Sequence, residues 1–186
     1  GEAVPAGSVR EAIRAGIYLA PEDRKATGIV LEFSVTQNVT LASMSAHSRA
    51  GLVDRRSERA EAERQISALA IKTPSADTPV VNLSGGNQQK VVLGKWLSMT
   101  PKVVIFDEPT RGIDVGAKSE IYRLMRALAT EGVAIWMISS DMEEVLAVSD
   151  RIAVMHEGRI TGLLSRDQFS EEAVMQLAVG RTQNAA

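Results

Sequence analysis

The 186-residue sequence contains no cysteine. Disulfide scaffolds, thiol nucleophiles and cysteine-based zinc sites are therefore excluded. Histidine is scarce: His47 and His156 are the only two, too few for a histidine-rich metal site. No sign of charge dominates. The 21 lysines and arginines face 23 aspartates and glutamates, a formal net charge of −2. Non-specific nucleic-acid binding wants a clear basic excess, so no nucleic-acid partner is expected. No apolar run approaches the ~20 residues that span a bilayer. The best, Val133 to Ile138, is strand-sized. Residues 1–10 lack the basic start and apolar core of a signal peptide. An initiator methionine is also missing, as expected of a chain processed or cut from a longer one. A soluble, reducing compartment is the expectation.

What is present is an ordinary globular balance, 45% hydrophobic and 24% charged. The length suits one domain, or two small lobes that share a core. Ser8 to Glu11 reads as a capping box, with Gly16 closing the short helix behind it. Ile17 to Ala20 reads as a strand stopped by Pro21. Ser34 to Gln37 is a second capping box, opening a helix through about Ser45. A loop is expected over 46–54. Arg55 to Ala70 reads as an exposed helix with its apolar stripe at Ile66, Leu69 and Ala70. Two prolines between Lys72 and Pro79 mark a boundary.

The second half alternates strand and helix, the pattern of a parallel α/β sheet. Ser84 can cap a helix to about Met99, and Val103 to Phe106 reads as a strand buried on both faces. Asp114 can cap a helix whose Ile121, Leu124, Met125 and Leu128 share one face, with Gly132 at its end. Val133 to Ile138 is expected to be a second buried strand. Ser140 to Glu143 reads as a third capping box. Ile152 to Met155 and Arg159 to Leu164 flank Glu157-Gly158 as a hairpin, and Ser170 starts a last helix to about Val179.

Two motifs can carry chemistry. In Leu83-Ser-Gly-Gly-Asn-Gln-Gln-Lys90 a serine and two glycines open a helix. Glycines let backbone N–H groups approach a phosphate, the hydroxyl adds a donor, and the helix dipole favours negative charge. A capped helix after a tight turn accounts for the same residues without a ligand. In Val103-Val-Ile-Phe-Asp107-Glu108-Pro109-Thr110 an apolar run delivers two carboxylates to the C-terminal end of a strand. Open α/β sheets place ligands there. Asp107 could hold Mg²⁺ directly or through water, and Glu108 could deprotonate an attacking water. Two solvated acids at a strand end are the plainer alternative.

Together these motifs resemble the signature and Walker B motifs of ABC ATPases. Gly112-Ile-Asp114 resembles the D-loop, and Ile138-Ser-Ser140-Asp141 the switch region, with Ser140 where the family usually has histidine. Tyr18-Leu-Ala-Pro-Glu22-Asp-Arg24 resembles the Q-loop region, with Glu22 where glutamine is usual. The variants are similar to the second cassette of sugar-import ATPases of the ribose, galactose and xylose type. That resemblance implies an α/β fold, a partial P-loop (RecA-like) parallel sheet with an inserted helical subdomain. Residues 1–24 would be a core remnant holding the Q-loop region. Residues 25–95 would be the helical subdomain ending in the signature helix. Residues 96–186 would be RecA-like core.

The same resemblance implies ATP and Mg²⁺ as cofactors, and monosaccharide uptake as the work they drive. Partners would be a first cassette on the same polypeptide, transmembrane permease subunits and, indirectly, a periplasmic sugar-binding protein. The location would be peripheral, at the cytoplasmic face of the plasma membrane. No Walker A loop, G-x-x-x-x-G-K-[ST], occurs in the sequence; residues 1–8 are a near miss without lysine. The chain is therefore expected to begin after that loop and, alone, to be inactive. In ABC dimers each ATP lies between one cassette's Walker motifs and the other's signature. Ser84, Gly85, Gly86 and Gln88 would then face ATP held by the partner cassette. Asp107 (through water) with Mg²⁺ and Glu108 as catalytic base would serve this cassette's own site, with Glu22 a further metal candidate. Asp114 would cross the interface. Ser140 cannot replace an imidazole, and Glu22 adds negative charge, so the own site is expected to be the slow one.

Two other readings compete. A DNA-maintenance ATPase with coiled-coil arms shares the signature and Walker B motifs, but residues 25–80 are too short and proline-interrupted for sustained heptads. The isolated chain could instead be a non-catalytic interaction fragment. A sheet lacking one of its strands exposes an edge, so self-association is expected. His47 is expected in a surface loop and His156 in a structural role beside the hairpin turn.

Overall fold

The computed structural model describes residues 7–181, and contacts divide the chain into two compact units after Ile138. Most of the 1–8 segment weighed above as a near miss lies outside the described residues.

The first unit holds a three-stranded parallel sheet. β1 (Ile17–Ala20), β4 (Val103–Asp107) and β5 (Ala134–Ile138) lie in the order β1-β4-β5. β1 is set in place by α1 (Val9–Arg14), capped by the Ser8 hydroxyl, which accepts from the Glu11 amide. Gly16 then turns the chain in the left-handed region at φ +86. Register puts Tyr18, Val104 and Ile135 on one row and Leu19, Ile105 and Trp136 on the next. The first face is packed: Ala20, Val104 and Phe106 are buried. The second is bare. Trp136 is 62% exposed and Ile138 47% exposed. The expectation of two strands buried on both faces is corrected here: among the described residues of this unit, the helices Gly85–Leu97 and Val115–Thr130 pack against the first face.

Two helices build the covered side. α4 (Gly85–Leu97) and α5 (Val115–Thr130) contribute Val91, Val92, Ile121, Met125 and Leu128 to the core that includes Phe106. Burying a side chain such as Phe106 contributes roughly 1.5–3 kcal/mol. Tyr18 and Trp96 stack with centroids 5.2 Å apart. Asp114 caps α5 through the Ala117 amide at 2.9 Å, and Gly132 follows the helix at φ +91.

The same apolar cluster runs into a helical region. α2 (Val35–Thr40) begins with the expected capping box: Ser34 and Gln37 satisfy each other's backbone amides. It ends at Thr40, earlier than the expected Ser45. The Thr40 hydroxyl bonds back to the Thr36 carbonyl, and the chain tightens into a 3₁₀ turn at Met44–His47. The expected loop holds a small hairpin, β2 (Ser48–Arg49) and β3 (Leu52–Val53), turned by Ala50 and Gly51 at positive φ. α3 (Arg55–Ala68) follows. Its buried face is polar as well as apolar: Ala62, Gln65 and Glu58 are buried, and Glu58 accepts from Thr40 at 3.0 Å. Ala70, expected on the stripe, lies beyond the helix at φ +48. His47 is half-buried rather than a free loop residue; its ring nitrogen lies 2.8 Å from the Ser57 hydroxyl. Gly94 lets α4 approach Val39, Gln65 and Leu69, where a Cβ would already touch at 3.4 Å.

The second unit is a small α/β assembly. α6 (Met142–Val148) precedes the hairpin of β6 (Arg151–His156) and β7 (Arg159–Ser165), and α7 (Glu171–Ala178) closes it. Glu157 and Gly158, both at positive φ, make the expected turn. Ile152, Val154, Leu164, Val174 and Leu177 form its core. Gly162 lies tight against this core: a Cβ there would meet the Leu177 methyls at 2.7 Å and make that side chain shift. The cap of α6 is Asp141, whose carboxylate accepts from the Glu144 amide, not the expected Ser140.

Candidate functional site

Ser84 occupies the N-cap of α4 in an extended conformation, yet its hydroxyl takes no helix amide. The first amides of a helix have no partner within it, so this end of α4 keeps its donors for something else. The hydroxyl instead accepts from the Asn87 carboxamide at 2.9 Å, and Asn87 accepts from the Lys72 amide at 2.8 Å. With its lone pair so engaged, the Ser84 proton is free to be donated outward.

Ser84, Gly86 and Asn87 share a recess of about 320 Å³ with Asp114, Gly116, Ala117, Lys72 and Glu120. The structure thus brings together the Ser-Gly-Gly turn and the expected D-loop aspartate. The glycines have packing reasons too. A Cβ on Gly86 would stand 3.0 Å from the Ala117 Cβ, and one on Gly85 would stand 2.7 Å from an Arg24 guanidinium nitrogen. Asp114, expected to reach across an interface, here caps α5.

Gln88 does not face the recess. Its side chain is buried and donates to the Val80 and Leu83 carbonyls, both at 3.2 Å. Its place falls to Asn87, which sequence reasoning passed over. The signal was available: Gln88, Val91, Val92 and Lys95 recur at the spacing of one buried helix face, which leaves Asn87 outside.

Asp107 and Glu108 stand elsewhere, at the C-terminal edge of the sheet. Asp107 is the last residue of β4 and pairs in register with Ile138. Glu108 then adopts φ +45, while its amide still donates to the Ile138 carbonyl at 2.9 Å. A non-glycine residue in the left-handed region costs of order 1–3 kcal/mol and persists where its surroundings hold it. The turn ends the alternation of the strand, so the two adjacent carboxylates need not diverge to opposite faces.

Glu22 is placed differently from expectation. Its carboxylate pairs with the Arg111 guanidinium. A neighbouring cation thus offsets the negative charge that Glu22 brings to the position. Among the described residues no cluster of three acidic or histidine side chains could hold an ion. Mg²⁺ is commonly bound by one or two carboxylates, waters and substrate phosphates rather than a protein cage. In the second unit Ser140 is exposed in the turn before α6. Its neighbour Ser139 donates to the buried Glu144 carboxylate and accepts from the Asp141 amide at 3.0 Å.

Residues 6–111 match the family described as ABC transporter, and the chain belongs to that family. Its fold agrees. It resembles an ATP-binding cassette of an ABC transporter, MJ1267 in its ADP conformation, with a TM-score of 0.70 at 20% identity over 91% of this chain and 70% of that one. Against cbiO1 from Clostridium perfringens, part of an ABC transporter complex, the TM-score is 0.71 at 26% identity, over 91% and 66%.

Within the family the chain is 51% identical over 183 residues to the arabinose import ATP-binding protein AraG of Pseudomonas syringae pv. syringae, covering 98% of this chain. It is 53% identical over 173 residues to the ribose import ATP-binding protein RbsA of Streptococcus agalactiae serotype Ia, covering 93%. It spans only 36% and 35% of those relatives' lengths.

Proposed function

We propose that this chain is most of the second cassette of a two-cassette ATPase that energises monosaccharide uptake. One observation carries the reading: Ser84, Gly86, Asn87 and Asp114 line one recess, while Asp107 and Glu108 stand apart at the end of the sheet. A single ATP held by one chain has no need of two separate groups. Two ATP molecules shared between two cassettes require both. The arabinose and ribose import proteins matched along nearly the whole chain support the sugar class.

In this reading the Ser84 hydroxyl and the amides of Gly85 and Gly86 donate to phosphate oxygens of ATP held by the first cassette. Asn87 orients the hydroxyl. Asp107 holds Mg²⁺ through water at the other site, where the ion would offset phosphate charge. Glu108 accepts the proton of the attacking water there. Ser140 contributes only a short neutral hydroxyl, so that second site turns over slowly. Residues 25–95 form the helical subdomain that docks on transmembrane permease subunits, which receive sugar from a periplasmic binding protein. The assembly sits at the cytoplasmic face of the plasma membrane. Among the described residues no helix is long and apolar enough to cross a membrane.

The test is ATPase and uptake by the assembled transporter. Ser84→Arg fills the recess and is expected to abolish both. Glu108→Gln is expected to leave substantial turnover. Loss of turnover with Glu108→Gln but not with Ser84→Arg overturns the asymmetry.

A further inference from the structure

Arg24 reaches two segments that flank the recess, Gly85 beside Ser84 and Gly86, and Arg111 ahead of Asp114. It opens a π-type turn, Arg24–Gly28, anchored by the Asp23 carboxylate, which accepts from the Lys25 and Ala26 amides at 3.0 Å. From that fixed base its Nη1 donates to the Arg111 carbonyl at 3.3 Å. Its Nη2 lies where a side chain on Gly85 would begin, 2.7 Å from the Cβ position, and the Gly112 carbonyl lies 3.5 Å from the same point. One planar group therefore spaces the first residue of α4 from the turn that leads to Asp114.

The same segment grips Arg111 twice. Arg24 holds its carbonyl, and Glu22, two residues earlier, holds its guanidinium. Glu22 and Arg111 are 43% and 67% exposed, and exposed ion pairs add little to stability. The Arg24 Nε is buried with no hydrogen-bond partner among the described residues. The pair of Glu22 with Arg111 is therefore of more use for holding the Arg111 turn in place than for overall stability.

We propose that Arg24 is a positioning residue: with Glu22 it sets the distance between the Ser84–Gly86 turn and Asp114, and so the fit of the recess to the ATP phosphates. This rests on the reading that the recess engages ATP. Lysine cannot replace it, because an ammonium offers no flat fork to lie against two backbones.

The experiment follows ATPase against ATP concentration in the assembled transporter, alongside thermal unfolding. Arg24→Ala and Arg24→Lys are each expected to raise half-saturating ATP about fivefold or more, since sub-ångström misplacement weakens phosphate contacts steeply. Glu22→Gln, at an exposed pair that cannot unfold the protein, is expected to raise it about twofold with an unchanged melting temperature. Wild-type ATP dependence in Glu22→Gln together with either Arg24 variant overturns the proposal, as does full rescue by Arg24→Lys. If Arg24→Ala fails to fold, Arg24→Lys and Glu22→Gln decide. Ser84→Arg, run in parallel, separates the two levels: undiminished turnover there overturns the ATP reading of the recess itself.

Discussion

Lys90 Nζ lies 2.8 Å from a carboxylate oxygen of Glu120, joining the helix that Ser84 opens to the helix that Asp114 caps. Lys90 is only 7% exposed, and its other bond is to the Ala70 carbonyl at 3.0 Å. The pair ties together the two helices that wall the recess, with Glu120 itself on its lining.

Removing the carboxylate leaves Lys90 charged and mostly buried. Glu120→Gln is expected to cost about 1–2 kcal/mol, the lower part of the range for charged hydrogen bonds because Glu120 is one-third exposed. The hydrogen bond and charge of Lys90 hold the Glu120 carboxyl below its ordinary value. The native state therefore binds that proton less readily than the unfolded chain. The contribution is complete above the unfolded carboxylate range and disappears as pH falls through the native value. Urea unfolding at neutral and acid pH checks this: the gap between wild type and Glu120→Gln should close on acidification.

Asn87 and Gln88 should separate function from stability. Asn87→Ala removes the group that orients the Ser84 hydroxyl, and about tenfold loss of ATPase is expected with little change in folding. Gln88→Ala removes a buried amide that ties down the Val80 and Leu83 carbonyls. About 1–3 kcal/mol of stability should go with it. Paired ATPase and urea measurements on the assembled protein and on the chain read the two effects.

Lys95 supplies a second pH probe of opposite type. It is buried over the Trp96 ring and donates to the Gly28 carbonyl, and desolvation lowers its pKa. For a base this means that the folded state binds the proton less readily than the unfolded chain. The penalty is greatest below the native pKa and fades as pH rises to the ordinary lysine value. Wild type should therefore gain stability relative to Lys95→Met between neutral pH and pH ~10. A constant difference would contradict the burial of this charge.

The bare sheet face should find a second copy. Among the described residues β5 pairs only with β4, and Trp136, Ile138 and Leu19 stand exposed on one face of the sheet. Parallel sheets are ordinarily covered on both faces. Light scattering of the 186-residue chain is expected to show concentration-dependent association that Trp136→Glu weakens. A monodisperse wild-type monomer would count against it. The same chain, which has no lysine-bearing phosphate loop, is expected to bind MgATP weakly in titration calorimetry.

Local chemistry explains which elements were legible. Ser8, Ser34 and Asp114 act within three residues of themselves, and all three cap the helices expected of them. Ile17 to Ala20, the hairpin around Glu157-Gly158 and the parallel sheet followed from short-range pattern in the same way. Two of the misses were choices between near-equivalent neighbours. Asp141 rather than Ser140 caps α6, and Asn87 rather than Gln88 meets the recess. One residue along a helix is a rotation of about 100°, and only packing against the rest of the protein selects which side chain turns inward.

The linear order of motifs determined the family and the chemistry each motif can offer, because those depend on residue types at fixed spacing. Tertiary structure alone decided that Ser84 and Asp114 share one recess, that Asp107 and Glu108 do not line it, and that Glu22 pairs with Arg111. Residues 22 and 111 lie far apart along the chain, and no local rule brings their charges together. Adjacent β1 and β4, each with its own turn, do so by ending side by side.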